Sequence, residues 1–353
     1  MTAFEDLLTW RESSTTDEAI AAAVDVGARA PVAASALLAG AQRIVVTGAG
    51  SSYYLAQSVA AVARAALRRP VIAAPLSELI LRPEGVLVGA AGAAREPVVI
   101  ISRSGSTSEA VSVAERMRAA GHPTVAVTCR PDSPLAATAD VMLVSPAGDE
   151  DAIVMTRSFA SMLALLLEVV ALVGGAPDLA ADLARLPDHW GDASAAARIG
   201  RRLGATDWSR VVILGGGPAF GIAAEWGLKL TETSQVPTSA YEPLEFRHGP
   251  ISVCEPGMLV VGLVGGPGAI EEVAVLEEAA RLGATTWLIA RDGDEARGTN
   301  GELSLIGSGL HPAARLPLLL HPGHALALEL ALTRGRDPDA PRHLGQVVIL
   351  DPG

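Results

Sequence analysis

The chain has 353 residues, half of them hydrophobic and 19% charged, with 27 Lys and Arg against 39 Asp and Glu for a formal net charge of −12. That length exceeds what one hydrophobic core usually serves and favours two domains, while the apolar content excludes a disordered chain. The negative balance argues against general attraction to nucleic acid or to an anionic membrane, and the two cysteines, Cys129 and Cys254, are too few for a disulfide framework or a zinc cluster.

Glu5, Asp6, Arg11 and Glu12 interrupt the N-terminus, so it does not read as a signal peptide, and a cytoplasmic location is expected. Residues 18–40 are Ala-rich and helical in pattern, which makes 1–40 an N-terminal helical segment ending at Gly40. Arg43-Ile-Val-Val-Thr47 then reads as a strand, Gly48-Ala-Gly-Ser-Ser52 as a tight turn, and the residues to Leu67 as a helix. The same grammar returns at Pro97–Ser102, followed by Arg103-Ser-Gly-Ser-Thr107 and a helix through Arg118, with a further strand at Thr124–Thr128. Strands alternating with helices predict an α/β fold, a parallel sheet with helices on both faces. The apolar run from Met162 to Gly174 is interrupted by Glu168 and falls short of the ~20 residues that span a bilayer, so it reads as a buried helix. These elements make a first domain of residues 41–175.

A helical linker over 176–206 follows, and the strand grammar restarts at Arg210-Val-Val-Ile-Leu214 with Gly215-Gly-Gly-Pro218 and a helix through Lys229. Set against Arg43-Ile-Val-Val-Thr-Gly-Ala-Gly, this is one module begun twice. Met258–Gly262 and Thr286–Ala290 supply further strands of a second domain, 207–353. The copies are unequal. After its second strand the first has Ser-Arg-Ser-Gly-Ser-Thr, where the second has Val264-Gly-Gly-Pro-Gly268.

Ser102, Ser104, Ser106 and Thr107 surround Gly105 between a strand and a helix, where backbone N–H groups and the helix end favour an anion. A phosphate-binding loop and a plain Ser/Gly turn with a helix cap both fit this pattern. Tyr53 stands at the third glycine position of a dinucleotide fingerprint, which argues against a nicotinamide site, and neither glycine loop has the Gly-Lys-Ser/Thr ending of a nucleotide-triphosphate loop. Lys229 and Glu232 are three residues apart and share a helix face, as a surface pair or as part of a site. His248, before Gly-Pro in a loop beside carboxylates, is a candidate acid/base.

Four motifs in order, Gly48-Ala-Gly-Ser-Ser-Tyr53, Ser102-Arg-Ser-Gly-Ser-Thr107, Ala147-Gly-Asp-Glu150 with Thr156-Arg-Ser-Phe159, and Gly227-Leu-Lys-Leu-Thr-Glu232 leading to Glu245-Phe-Arg-His-Gly-Pro250, give a resemblance. From about residue 40 onward the chain resembles the double-SIS (sugar isomerase) family, and is similar to the isomerase domain of glucosamine-6-phosphate synthase and to the family's sugar-phosphate deaminases and isomerases. The resemblance implies two tandem SIS domains of flavodoxin-like, three-layer α/β/α form. It also implies that Ser51 and Ser52, with Gly50, and Ser102, Ser104 and Thr107, with Gly105, hold a sugar phosphate. It makes Glu232 the base that moves a proton between C1 and C2, Lys229 a residue that orients Glu232 or the open-chain hydroxyls, and His248 an aid to ring opening supplied by the partner subunit of a homodimer.

One position departs from the family. Gln346 follows Pro341-Arg-His-Leu344 where many relatives carry a lysine, and an amide cannot form an imine with an open-chain sugar; the C-terminal tail is still expected to cover the site. No nucleophilic cysteine lies near Met1, so glutamine-dependent synthesis is not expected of this chain alone. The resulting expectation is an aldose–ketose isomerase or amino-sugar-6-phosphate deaminase acting on a hexose or amino-hexose 6-phosphate, with no metal and no cofactor. The competing class is a non-catalytic sugar-phosphate sensor, which Gln346 favours and which Glu232 and His248 oppose.

Overall fold

In the computed structural model, which describes residues 3–88, 95–294 and 301–349, the β-branched runs become parallel strands of two sheets. The first sheet contains β1 (Ile44–Gly48), β2 (Val71–Pro75), β3 (Val98–Ile101), β4 (Thr124–Thr128) and β5 (Val141–Val144), hydrogen-bonded in the order β2-β1-β3-β4-β5. The second contains β6 (Arg210–Gly215), β7 (Thr238–Tyr241), β8 (Met258–Leu263), β9 (Thr285–Ala290) and β10 (Glu302–Leu305). Read from β7, its order is β7-β6-β8-β9-β10, the same permutation as in the first sheet. Every pairing is parallel and each sheet is flanked by helices, so the chain is α/β with one flavodoxin-like module built twice.

Burial explains which strands announce themselves. β1, β3, β4 and β8 are buried along their whole length, and their sequences are runs of Val, Ile, Leu, Ala and Met joined only by Thr or Gly. The edge strands β2, β5, β7 and β10 are partly exposed and mix Ala, Ser, Thr, Met and Glu into the run. A strand covered on one side only needs fewer large apolar residues, so its pattern is weaker.

The chain divides into two compact units, each holding one sheet. The first-sheet unit comprises residues 16–151, 157–184 and those from 345 on; the second-sheet unit comprises 1–15, 152–156 and 185–344. The N-terminal helical segment therefore divides. Phe4 and Leu7 pack with Ala197, Ala325 and Leu328 of the second-sheet unit, and Asp339 closes the start of the helix Leu8–Ser13 by accepting from the backbone N–H groups of Leu8 (2.8 Å) and Thr9 (2.9 Å). The Ala-rich stretch that follows forms two helices, Thr16–Ala28 and Val32–Gly40, separated at Pro31. The expected linker divides in the same way, between the helix Pro177–Ala184 and the helix Trp190–Gly204.

Among the described residues, two single helical spans, Arg157–Gly174 and Leu316–Thr333, are long and apolar enough to cross a membrane, and 78% and 83% of their respective spans are buried within the protein. The first packs against Thr16–Ala28 and Ser51–Leu67 of its own unit. Contact with Thr16–Ala28 is close at Gly27, where an added Cβ would stand 2.7 Å from Glu168 Cβ.

Candidate active site

In a doubly wound sheet of this order, ligands bind at the carboxyl ends of the strands where the winding reverses, between the first and third strands in sequence. In the first sheet that crevice lies between β1 and β3, and both expected phosphate loops border it. After β1, Gly50 (φ 54°) precedes the helix Ser51–Leu67, whose first two residues, Ser51 and Ser52, are buried. After β3, Ser102 and Ser104 are buried as well, and the Ser102 hydroxyl donates to Thr107 Oγ1 at 3.4 Å. Thr107 occupies the N-cap position of the helix Ser108–Ala119, yet its side chain makes no capping hydrogen bond. The hydroxyl of Thr107 is thus not used to cap this helix.

Gly105 fixes the shape of this loop. Its φ is +60°, and a Cβ there would lie 2.1 Å from Ser133 Oγ. Its carbonyl accepts from the N–H of Leu135 at 2.9 Å, which ties the β3 loop to the start of the helix Pro134–Thr138. Beside the loop opens a cavity of about 460 Å³ lined by Ser104, Ser106, Cys129, Arg130, Ser133 and Asp149, among others. Arg130 pairs with Asp149 at 3.0 Å on its rim. Burial, with the Glu150 and Asp149 charges, pushes the Cys129 thiol far above its usual range, which keeps it an unreactive thiol.

Sequence reasoning passed over two residues that hold this region together. Arg103, inside the serine loop, is buried; its guanidinium lies 3.6 Å from Glu150 Oε1 and donates to the Gln346 carbonyl at 3.1 Å. Glu150 also accepts from the Ser158 hydroxyl, and the Arg157 Nε–H donates to the Asp149 carbonyl at 2.9 Å. The Gly-Asp-Glu and Thr-Arg-Ser motifs thus form one knot beneath the loop. The available signal was a charged residue between two serines of a strand-to-helix turn, a place where an arginine needs a carboxylate partner. Gln346 is drawn into the same knot: its Nε2 donates to the carbonyls of Asp151 (2.7 Å) and Glu150 (3.3 Å).

In the second-sheet unit, the helix Ala219–Thr233 brings Glu225, Lys229 and Glu232 onto one face by its three- and four-residue spacing. Lys229 Nζ lies 2.5 Å from Glu232 Oε2 and 3.3 Å from Glu225 Oε1. This is no surface pair. The Lys229 side chain is 3% exposed and that of Glu225 0%, while Glu232 is 19% exposed and is the member that meets solvent. Burial alone would pull the Lys229 pKa down; the two carboxylates outweigh it and raise it, so the amine is held as an ammonium. His248 stands in the turn after the helix Pro243–Phe246, exposed, and among the described residues its side chain has no hydrogen bond or ion pair to Glu232 or Lys229.

The corresponding crevice of the second sheet, between β6 and β8, is furnished differently. Its backbone donors meet the protein's own carboxylates: Gly217 N–H donates to Glu242 (3.3 Å), Gly266 N–H to Asp294 (3.4 Å), and Gly265 N–H to Glu272. Burial first, and then the Glu242 and Asp294 charges, push the Glu272 carboxyl up to about 7 against the opposing pull of Gly265 and Arg315.

Compared with known proteins, residues 37–172 and 206–300 match the SIS domain. Glutamine–fructose-6-phosphate aminotransferase (isomerizing) of Aeropyrum pernix is 30% identical over 356 residues, which cover 90% of this chain and 53% of that protein. The chain spans about half the length of the curated relatives it matches. Among solved structures, glucosamine-6-phosphate deaminase of Thermotoga maritima aligns with a TM-score of 0.78 at 25% identity, over 97% of this chain and 99% of that one. Tagatose-6-phosphate ketose/aldose isomerase of Escherichia coli, 23% identical, shares the fold with a TM-score of 0.83 over 100% and 98% of the two chains.

Proposed function

Because this chain belongs to the SIS domain family, we propose that it is a cytoplasmic phosphosugar enzyme that moves a proton between C1 and C2 of a hexose 6-phosphate or amino-hexose 6-phosphate. The observation that carries this reading is the Glu225–Lys229–Glu232 ladder, an ammonium buried between two carboxylates of which only Glu232 reaches solvent.

In the first-sheet unit, Ser51, Ser52, Ser102, Ser104 and Thr107 supply hydroxyl donors to the phosphate at the turns formed by Gly50 and Gly105. In the second-sheet unit, Glu232 takes the proton from the carbon next to the carbonyl and returns it to the neighbouring carbon. The Lys229 ammonium steadies the carboxylate and offers positive charge to the oxygen that becomes negative in the enediolate. Since Lys229 remains protonated, it works as a charge and not as a nucleophile. Gln346 cannot form an imine either, so the reading is proton transfer without a covalent sugar adduct. With an amino sugar, the same proton transfer gives a ketose imine that water hydrolyses, releasing ammonia. The exposed His248 suits a residue that assists ring opening in the pocket of a second copy, which makes the working unit a homodimer.

Incubation of the protein in deuterated water with a panel of hexose and amino-hexose 6-phosphates tests this directly. Deuterium should enter C1 or C2 of the substrate with the wild type, while Glu232→Gln binds the same sugar and loses at least about 10²-fold in exchange, as expected for removal of a positioned base. Binding without exchange by the wild type across the panel would instead establish a sugar-phosphate sensor, the reading that Gln346 favours.

A further inference from the structure

Lys229 is the one lysine among the 27 Lys and Arg residues of the sequence. An ammonium is a compact charge with three donors, which suits a place between two carboxylates better than a planar guanidinium does. Beside it packs a short segment from far earlier in the chain, residues 152–156, which belongs to the same unit. Val154 and Thr156 share with Lys229, Thr9 and Leu328 the lining of a void of about 10 Å³, and each of these five residues is at most 3% exposed. The surface they present to the void is apolar, and a void so small and so lined stays dry. Residues 152–156 thus keep water from one side of the Lys229 side chain.

The segment has no regular structure to hold it, since residues 152–156 form neither helix nor strand. The Ala152 N–H instead donates to Glu12 Oε2 at 2.9 Å, a buried bond across 140 positions of the sequence. Glu12 is 8% exposed and lies near the end of the helix Leu8–Ser13. A buried carboxyl group is costly without hydrogen-bond partners, and backbone N–H groups are strong ones.

The helix that carries Glu12 is anchored at both ends. At its start, Asp339 accepts from the N–H groups of Leu8 and Thr9 and from the Thr9 hydroxyl (2.6 Å). At its end, the Ser13 hydroxyl lies 3.0 Å from His321 Nδ1 and 2.9 Å from His324 Nδ1, both on the helix Leu320–Thr333. Six residues are too few for a helix to stand alone, so such tertiary contacts fix where Glu12 stands.

We propose that Glu12 is a positioning residue for the Lys229–Glu232 pair: it tethers residues 152–156 as a dry cover against Lys229, and the cover leaves the ammonium charge unscreened. Two charges attract far more strongly in a dry, low-dielectric surrounding than in water. Water admitted beside Lys229 would weaken its hold on Glu232 and the positive charge it offers to the developing enediolate. Glu12 thus acts through the segment and not on the sugar. Its effect on turnover rests on the proposed function; the tether and the dry cover do not.

The two parts are tested separately. With one lysine in the sequence, ¹⁵N-lysine labelling of the untagged full-length protein gives a single side-chain ammonium signal that needs no assignment. In the wild type its protons should exchange slowly with water, and Glu12→Ala should speed that exchange at least about 10-fold by letting the segment open. Glu12→Gln, which keeps an oxygen for the Ala152 N–H, should stay close to the wild type, with thermal unfolding checking that each variant folds. Val154→Ala thins the cover without touching the tether; it should speed exchange in the same direction and serves should Glu12→Ala not fold. Wild-type exchange in folded Glu12→Ala overturns the tether, and wild-type exchange in Val154→Ala overturns the cover. On catalysis, Glu12→Ala should lower kcat about 10-fold with KM little changed, and Glu12→Gln should recover most of it. Fast exchange with wild-type kcat in folded Glu12→Ala overturns the positioning role. Absence of turnover in the wild type would sink the proposed reaction and the positioning role with it, while proton exchange still decides the tether.

Discussion

The two sheets share one strand order and one pair of crevice-bordering loops, yet the crevices are furnished in opposite ways. At the β1/β3 crevice the loops carry six hydroxyls, on Ser51, Ser52, Ser102, Ser104, Ser106 and Thr107. At the β6/β8 crevice the glycine loops carry none of these, and three backbone N–H groups already donate to Glu242, Asp294 and Glu272. A duplicated module can thus keep the geometry of an anion cradle in both copies while filling one of them from within. A carboxylate of the chain that sits on the backbone donors both occupies the place of an external phosphate and repels it.

The largest expected effect separates the two crevices by affinity. Ser104→Ala combined with Thr107→Ala should weaken binding of the preferred 6-phosphosugar about 10²-fold or more, because a hydrogen bond to a charged group contributes roughly 1.5–3 kcal/mol. Asp294→Asn in the second sheet should leave that affinity within about twofold. Titration calorimetry on both proteins decides the matter, and equal losses would place the phosphate elsewhere.

A smaller effect concerns the glycines of the two crevices. Gly105→Ala puts a side chain at φ +60° and against Ser133, with contacts to both Oγ (2.1 Å) and Cβ (2.5 Å), so it should destabilise the protein by about 2–3 kcal/mol. Gly216→Ala meets only the far end of a side chain, Glu272 Oε1 at 2.1 Å, which can swing away. Its cost should stay below about 1 kcal/mol. A thermal melt in which Gly216→Ala falls further than Gly105→Ala would reverse the contrast.

The smallest effect is a pH dependence at Glu272. Its carboxyl is raised from the ordinary 4.5 to about 7, so between those values the folded state binds more protons than the unfolded one. Stability from this group is therefore complete below about pH 4.5, falls as the pH rises, and is lost above about 7. Glu272→Gln should flatten this window, matching the wild type at low pH and exceeding it above pH 7 by on the order of 2 kcal/mol. Denaturant unfolding at pH 5 and pH 8 measures the difference, and an equal stability change at both would mean that Glu272 does not titrate there.

Much of this contrast was legible in the amino-acid sequence, and for a physical reason. Central parallel strands must be apolar on both faces, so β1, β3, β4, β6, β8 and β9 appear as apolar runs with Thr or Arg only at their ends or before the closing Gly. The edge strands escape because partial exposure lets Ser, Thr and Glu into them, as in Thr238-Ser-Ala-Tyr241. The serine loop and the Lys229–Glu232 spacing are local patterns and are found where the sequence puts them. The roles of Arg103, Glu150 and Gln346 are not local. Arg103 meets a carboxylate 47 positions further on, and Gln346 donates to the Glu150 carbonyl 196 positions earlier. Such partnerships follow from topology, which sets which loop ends share a sheet edge.

Neither unit is a continuous stretch of chain, and this bears on how the protein is made. As the polypeptide leaves the ribosome, residues 1–15 emerge well before their packing partners, such as Ala325 and Leu328, which arrive more than 300 positions later. The first-sheet unit cannot enclose its own C-terminal strap until Gly345 and the residues after it have been synthesised. During synthesis the two bodies therefore stay incomplete, each with apolar surface waiting for a distant segment, until those segments have emerged. Separate expression of either half, cut at any single peptide bond, should yield material that chaperones retain, because no one cut leaves both units whole.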